Sequence, residues 1–265
     1  MRLVLDNTVS IITPLYNAEL YIGEAISSVQ SQTYANWEMI IIDDCSKDNS
    51  YHMANEYAKK DSRILLYKND INLGGAGSRN RAIGKAKGKF IAFLDADDKW
   101  HPEKLKKQID FMLENNIDFC FCNYDTIDEQ GKHIKNVIAP SKVSLRDMYS
   151  NNYIGCLTAV YDTSRYGKFF MPDFRKRQDY ALWLTMLKRI NFAYLLNESL
   201  ASYRIRKNTL SSNKLDALLY YWKILRITAG LPVIAASFYT SRYVVLTATK
   251  KLLPELYNRL LNNAG

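Results

Sequence analysis

The chain has 265 residues and 48% hydrophobic content, enough to bury a full core, which excludes a disordered polypeptide. Its formal charge of +9, from 36 Lys and Arg against 27 Asp and Glu, points to an anionic partner such as a nucleotide, a nucleic acid or an acidic membrane surface. Cys45, Cys120, Cys122 and Cys156 show no paired zinc spacing and are too few for a disulfide scaffold, so a reduced, intracellular chain is expected.

The opening stretch MRLVLDNTVSIITP has too short an apolar run, with an early Asp6, for a secretory signal. Nowhere do about 20 apolar residues run uninterrupted, so the expectation is a cytoplasmic protein without a spanning helix. Val9 to Thr13 predicts a first strand, ended by Pro14, and Ile22, Ala25, Ile26 and Val29 recur at helical spacing within 18–32. MIII before Asp43 and Asp44 predicts the second strand, followed by a polar helix over 53–60 and RILLY as the third strand. The glycine-rich NLGGAGSRN leads into a helix through Ala86, and KFIAFL, a helix over 102–116 and the strand DFCFC complete the series. Continuous apolar strands alternating with helices require a mostly parallel sheet covered on both faces, so the fold class is α/β and Rossmann-like. Cys120 and Cys122 share one face of the last strand and read as buried side chains, not metal ligands.

Beyond Tyr124 the alternation fades. DEQGK predicts a hairpin turn, 144–150 a short helix and LTAVY a strand. FRKRQDYALWLTMLKRI predicts an amphipathic helix with Leu182, Met186 and Ile190 on one side and Trp183 beside them. In the tail over 214–265, Leu215, Leu218, Leu219, Trp222 and Leu225 fall on one helical face, with Lys223 and Arg226 off it. That tail either packs on the protein or a second copy of it, or lies on an anionic membrane surface; Pro232 and Arg242 argue against a span.

In open α/β sheets ligands sit outside the carboxyl ends of the strands, and TPLYN, DDCS and DADD all land on that edge. Asp95, Asp97 and Asp98 put three carboxylates into four positions at the end of an apolar strand, where like charges repel and resist burial. A Mg2+ or Mn2+ ion shared with phosphate oxygens relieves that crowding. The plainer alternative is a solvated turn in which Asp98 caps the helix near Pro102. NLGGAGSRN follows the third strand and lacks the third glycine of a dinucleotide fingerprint, while TPLYNAE at the first turn has no glycine to admit a pyrophosphate. Both features argue against a nicotinamide enzyme.

Taken in order, TPLYNAE, SVQSQTYANWEMIIIDDCSKD, NLGGAGSRNRAI, GKFIAFLDADD and RQDYALWL resemble glycosyltransferase family 2, enzymes of GT-A fold that use nucleotide sugars. The resemblance spans residues 8 to about 210. It implies that Pro14 and Tyr16 surround the nucleotide base, that Asp44 bonds a uracil edge while Asp43 supports the turn, and that Arg79 brings a cation near the nucleotide beside a loop-fixing Asn80. It also implies that Asp97 lies near ribose and metal, that Asp98 is the principal metal ligand, and that Asp95 is either a further candidate ligand or a structural residue. Asp179 falls in the position of the catalytic base, although the commoner Glu-Asp pair is Gln178-Asp179 here. An Asp with a reference pKa of about 3.9 is ionised at neutral pH and can accept a proton from an attacking hydroxyl. YRIRKNTLSS resembles a stretch that approaches the diphosphate; Arg204 and Arg206 would share a strand face suited to a forked phosphate contact, with Arg206 standing where His is common.

What the resemblance implies is an inverting transfer of one sugar from a UDP-sugar to a saccharide hydroxyl, on a polyprenyl-diphosphate carrier of bacterial surface polysaccharide (O-antigen, capsule or teichuronic-type). The catalytic domain would cover 1–213, with a nucleotide-binding half over 1–123 and an acceptor-binding half over 124–213. No Gln-x-x-Arg-Trp follows the Asp179 helix, which argues against a processive synthase. Two rivals stand beside this expectation. Nucleotidyl transfer would release diphosphate in place of UDP, and a nucleic-acid-binding protein is suggested by the +9 charge and 19 tyrosines, without a recognisable motif.

Overall fold

The computed structural model describes residues 7–206 and 214–252. The expected boundary at Asn213 and the tail beyond Leu252 lie outside the described residues. Strands β1 (Val9–Leu15), β2 (Trp37–Asp43), β3 (Ile64–Lys68) and β4 (Phe90–Phe93) run parallel, with β1 between β2 and β4. Helices α1 (Ile22–Gln30), α2 (Ser50–Ala58) and α4 (Lys104–Glu114) cover one face and α3 (Gly74–Lys85) the other. This double cover is why Val9, Ile11, Ile12, Ile40, Ile41 and Ile42 are all fully buried.

The first strand does not stop at Pro14. Leu15 O accepts Asp44 N toward β2 at 2.8 Å, and Ile12 O accepts Leu94 N toward β4 at 3.1 Å. Alternation therefore turns Pro14 toward the β4 side, beyond that strand's last residue Phe93, where no N–H is required.

The second half adds β5 (Lys99–Trp100), β6 (Phe119–Ile127), β7 (His133–Val137), β8 (Lys142–Ser144), β9 (Val160–Asp162) and β10 (Phe192–Arg204) to the same sheet. The order is β3-β2-β1-β4-β9-β6-β10-β5, with β7 on β6 and β8 on β10. β9 is antiparallel to both β4 and β6, so one reversed strand splices the parallel half to the parallel β6–β10 pair. The DEQGK turn closes with Asp128 N donating to Lys132 O at 2.9 Å. Helix α5 (Leu145–Met148) starts at Ser144, which exchanges capping bonds with Asp147.

Helix α6 (Gln178–Leu187) departs from the amphipathic expectation: Tyr180 to Leu184, Met186 and Leu187 are all buried. The cause is a second cover. Helices α7 (Lys214–Ile227) and α8 (Val233–Leu252) follow, and Tyr221, Ile224, Leu225 and Ala236 join the same core. The inward face of α7 takes Leu225 and Trp222 from the expected apolar row but not Leu215 or Leu219, which are 76% and 60% exposed. No described helix is long and apolar enough to cross a membrane.

Candidate active site

Asp43 ends β2 and Asp44 follows it on the edge where β1 and β4 also finish. Asp44 accepts Asn69 Nδ2 and Leu73 N on Oδ1, both at 2.7 Å, and Gly74 N on Oδ2 at 2.8 Å. The glycine run is thus the first turn of α3, not a loop, with Gly74 at φ +71° turning the chain into the helix beneath this carboxylate. Three of about four acceptor positions on Asp44 are committed, which leaves one on Oδ2 for the uracil edge expected of it. Asp43, expected to support the turn, is fully buried, and neither of its oxygens is bonded among the described residues. Asn80 does fix a loop: it donates to Met171 O at 2.9 Å and accepts Met171 N at 2.7 Å. Pro14 and the half-exposed Tyr16 flank the mouth of β1.

The three carboxylates after β4 do not converge. Asp95 pairs with Arg79, whose Nη1 also reaches Gln178 Oε1 at 3.2 Å. Asp97 Oδ2 accepts Arg206 Nη1 at 2.9 Å, and the buried Asp98 accepts Arg204 N at 2.9 Å. Among the described residues no three His, Cys, Asp or Glu side chains gather into an ion-binding group, and Asp95 is instead the counter-ion of Arg79, a correction to its place among the ligands. Asp97 and Asp98 remain. Burial first, and then the neighbouring carboxylates, push both carboxyls up, Asp98 well above the usual range. A pair of crowded hard oxygen donors fits a divalent ion that completes its shell from diphosphate oxygens and water. Asp98 does not cap α4, which begins at Lys104 behind Glu103.

Arg204 takes a different role from the forked phosphate contact expected of it. β10 ends there, and its fully buried guanidinium donates from Nε to Asp97 O at 2.9 Å and from Nη1 to Asp128 O at 3.2 Å and Glu129 O at 2.9 Å. Nη2 donates to Glu24 Oε2 at 3.0 Å. These bonds tie the DADD turn to the β6–β7 turn and to α1. The ring of Tyr21 lies under both arginines, 4.8 Å from Arg204 and 5.0 Å from Arg206. Arg206 lies just past the strand and stays one-third exposed.

Asp179 occupies the first turn of α6, partly buried. Burial raises its carboxyl above the ordinary range, opposed by the Tyr180 N–H and by the charges of Arg79 and Arg177. The fields of Asp98 and Asp179 both reach Tyr124, pushed up mainly by burial to about 12, and Cys156, pushed well up for the same reasons. The DADD turn and the first turn of α6 are linked through Arg79, which bonds Asp95 on the one and Gln178 on the other.

The sequence profile of Glycosyl transferase family 2 matches residues 10–180, which contain Asp44, Arg79, Asp97, Asp98 and Asp179. The chain belongs to that family. A relative from Escherichia coli, UDP-Glc:alpha-D-GlcNAc-diphosphoundecaprenol beta-1,3-glucosyltransferase WfgD, is 42% identical over 92% of this chain and 95% of its own length. TuaG of Bacillus subtilis (strain 168), a glycosyltransferase named for teichuronic acid biosynthesis, is 40% identical over 92% of this chain and 97% of its own. The fold is shared with S. aureus TarS residues 1–349 in complex with UDP-GlcNAc, at TM-score 0.69 and 20% identity over 89% of this chain and 71% of that one. It is shared too with the mannosyltransferase PcManGT from Pyrobaculum calidifontis in complex with GDP-Man and Mn2+, at TM-score 0.61 and 16% identity over 97% and 79% of the two chains. The architecture is the GT-A fold.

In this family 2 glycosyltransferase nothing in the sequence pointed to Glu24, Tyr124 or Cys156 near the candidate centres. Glu24 sits within a helix of otherwise ordinary amphipathic pattern, and its tie to Arg204 crosses 180 positions. Tyr124 and Cys156 carry no motif spacing. Gln178 was legible as a departure from Glu, and its bond to Arg79 shows what that position does here.

Proposed function

We propose that the protein transfers one sugar from a UDP-sugar to a saccharide hydroxyl with inversion, on a polyprenyl-diphosphate-linked acceptor of surface polysaccharide synthesis. The observation that carries this proposal is the Arg79 guanidinium, bonded to Asp95 of the turn that bears Asp97 and Asp98 and to Gln178 beside Asp179, which ties the two candidate centres together. The name of WfgD supports the lipid-linked acceptor and makes UDP-glucose the first donor to test, and that of TuaG supports surface polysaccharide synthesis.

Asp97 and Asp98 would hold Mn2+ or Mg2+, which when bound supplies positive charge to the diphosphate. Arg206 is the arginine assigned to the diphosphate, because Arg204 is spent within the scaffold. Pro14 and Tyr16 line the base, and the remaining lone pair on Asp44 Oδ2 reaches its edge. Asp179 takes the proton of the acceptor hydroxyl as that oxygen bonds to the anomeric carbon and the bond from that carbon to UDP breaks. The proton ends on Asp179 and the electron pair on UDP. Residues 1–123 serve the nucleotide and 124–213 the acceptor, and the outer face of α7 and α8 rests on the inner, anionic face of the membrane that carries the acceptor.

Purified protein given a panel of UDP-sugars, Mn2+ and a GlcNAc-diphospho-lipid is expected to release UDP and to yield a product heavier by one sugar with inverted anomeric configuration. Asp179→Asn should lower kcat by about 100-fold or more while UDP affinity stays within about twofold. Release of diphosphate would identify a nucleotidyltransferase, and no transfer from any UDP-sugar would overturn the proposal.

A further inference from the structure

Helix α6 begins on a left-handed residue with a side chain: Arg177 takes φ 57° and ψ 35° one position before Gln178 and two before Asp179. That backbone state is unfavourable for a residue bearing a Cβ and persists only where its surroundings hold it. What holds it here lies in the C-terminal helices. Arg177 Nε donates to Ala217 O of α7 at 3.0 Å, and Nη2 donates to the Tyr243 hydroxyl of α8 at 2.8 Å. Its guanidinium sits 5.3 Å and 5.1 Å from the ring centroids of Tyr221 and Tyr243, which stack on each other at 4.3 Å. Tyr221 stacks in turn on Tyr180 of α6 at 4.9 Å, with the planes only 6° apart. Lys176 adds an ion pair to Asp216 at 2.5 Å.

Gln178, between Arg177 and Asp179, is bonded to Arg79 at 3.2 Å. The first turn of α6 is therefore gripped from two directions, by the nucleotide half through Gln178 and by α7 and α8 through Arg177. Arg177 forms no ion pair among the described residues; its bonded contacts are a carbonyl, a hydroxyl and two ring faces, and its charge also acts on the Asp179 carboxyl.

We propose that Arg177 is a positioning residue for sugar transfer, locking the left-handed turn that aims Asp179 by fastening it to α7 and α8, so that the C-terminal helices seat the base. This rests on Asp179 being the base, as proposed above.

Arg177→Gly, Arg177→Lys and Tyr243→Phe in the full chain test it, with Asp179→Asn measured beside them. Glycine accepts the left-handed backbone but lacks the clasp, and kcat is expected to fall about tenfold or more while UDP affinity stays within about twofold. The acidic limb of the pH–rate profile should move to higher pH in Arg177→Gly, since a nearby positive charge is lost, and should stay in place in Arg177→Lys, which keeps the charge without the fork. Tyr243→Phe keeps the ring stack, removes one hydrogen bond, and should lower kcat a few-fold at unchanged UDP affinity; it decides the matter should Arg177→Gly fail to fold. Turnover within twofold of wild type in both Arg177→Gly and Tyr243→Phe overturns the proposal, as does a parallel loss of kcat, UDP affinity and Tm, which marks a purely structural contact. If Asp179→Asn keeps its turnover, it is the base assignment that falls.

Discussion

Lys104 is fully buried, its Nζ 2.6 Å from Gln108 Oε1 and 4.1 Å from the ring centroid of Trp100, with no carboxylate paired to it among the described residues. Burial brings its pKa down to about 8. The unfolded chain then binds one more proton than the folded chain between about pH 8 and 10.5, so folding stability rises with pH across that window and carries the full penalty below it. The span corresponds to about 3 kcal/mol at about 1.4 kcal/mol per pH unit. Lys104→Met should raise stability at pH 7 by about 1–3 kcal/mol and flatten the rise above pH 8, read as the difference between urea unfolding curves of the two proteins. An unchanged pH dependence would mean that Lys104 finds water or an anion. The lysine was invisible in sequence because 104 lies in the first turn of an amphipathic helix, where a basic residue is ordinarily solvated. The same limit explains Arg204, which read as a phosphate ligand although Glu24, Asp97, Asp128 and Glu129 enclose it from distant positions. Asp97 and Asp98 stood out in the sequence because carboxylates crowd the end of an apolar strand, where chain order sets the side of the sheet, whereas Asp179 was indicated by the family resemblance alone.

Among elements, β1 to β4 and helices α1 to α4 were readable because their signals are local: apolar runs for doubly covered strands, and the recurrence of Ile22, Ala25, Ile26 and Val29 for α1. Partners of β9 and β10 were not, since LTAVY says nothing of an antiparallel slot between β4 and β6. The entry to β4 shows how tightly the DADD-bearing strand is seated. Gly88 N donates to Ser10 Oγ at 2.8 Å, and a Cβ added at Gly88 would lie 2.5 Å from Thr8 O and 2.8 Å from Ser10 N. Both of these are backbone atoms, so no rotamer relieves the clash; β1 and β4 must part. Gly88→Ala should cost about 1–3 kcal/mol in thermal or urea unfolding and weaken UDP binding with it, because the Asp97–Asp98 turn hangs from that strand. A neutral Gly88→Ala would show that β4 can slide on β1 without disturbing the site.

At the scale of the whole molecule, α7 and α8 have one face in the core and another outside. Ile234 is 85% exposed, Phe238 60%, Val245 62% and Leu219 60%, while Tyr221, Ile224 and Leu225 are fully buried. Sequence periodicity could not sort these faces, because an apolar residue facing the core and one facing a membrane look alike in a helical wheel. Exposed apolar residues in such number on one pair of helices need a cover, and Lys223 and Arg242 lie exposed on the same helices of a chain with formal charge +9. An anionic bilayer surface answers both the apolar and the basic character, and it is where a polyprenyl-linked acceptor is anchored. The full chain should sediment with vesicles of phosphatidylglycerol, less with neutral phosphatidylcholine, and less again at raised salt. Ile234→Glu with Phe238→Glu should release it from the vesicles while UDP binding and turnover on a water-soluble, short-chain acceptor persist, since both side chains are mostly exposed. Absence of sedimentation, together with a dimer in light scattering that the same double variant dissociates, would assign the face to a second copy of the chain. Because Arg177 fastens the inner side of these helices to the turn that carries Asp179, lipid engagement on the outer side would bear on turnover and leave UDP affinity unchanged.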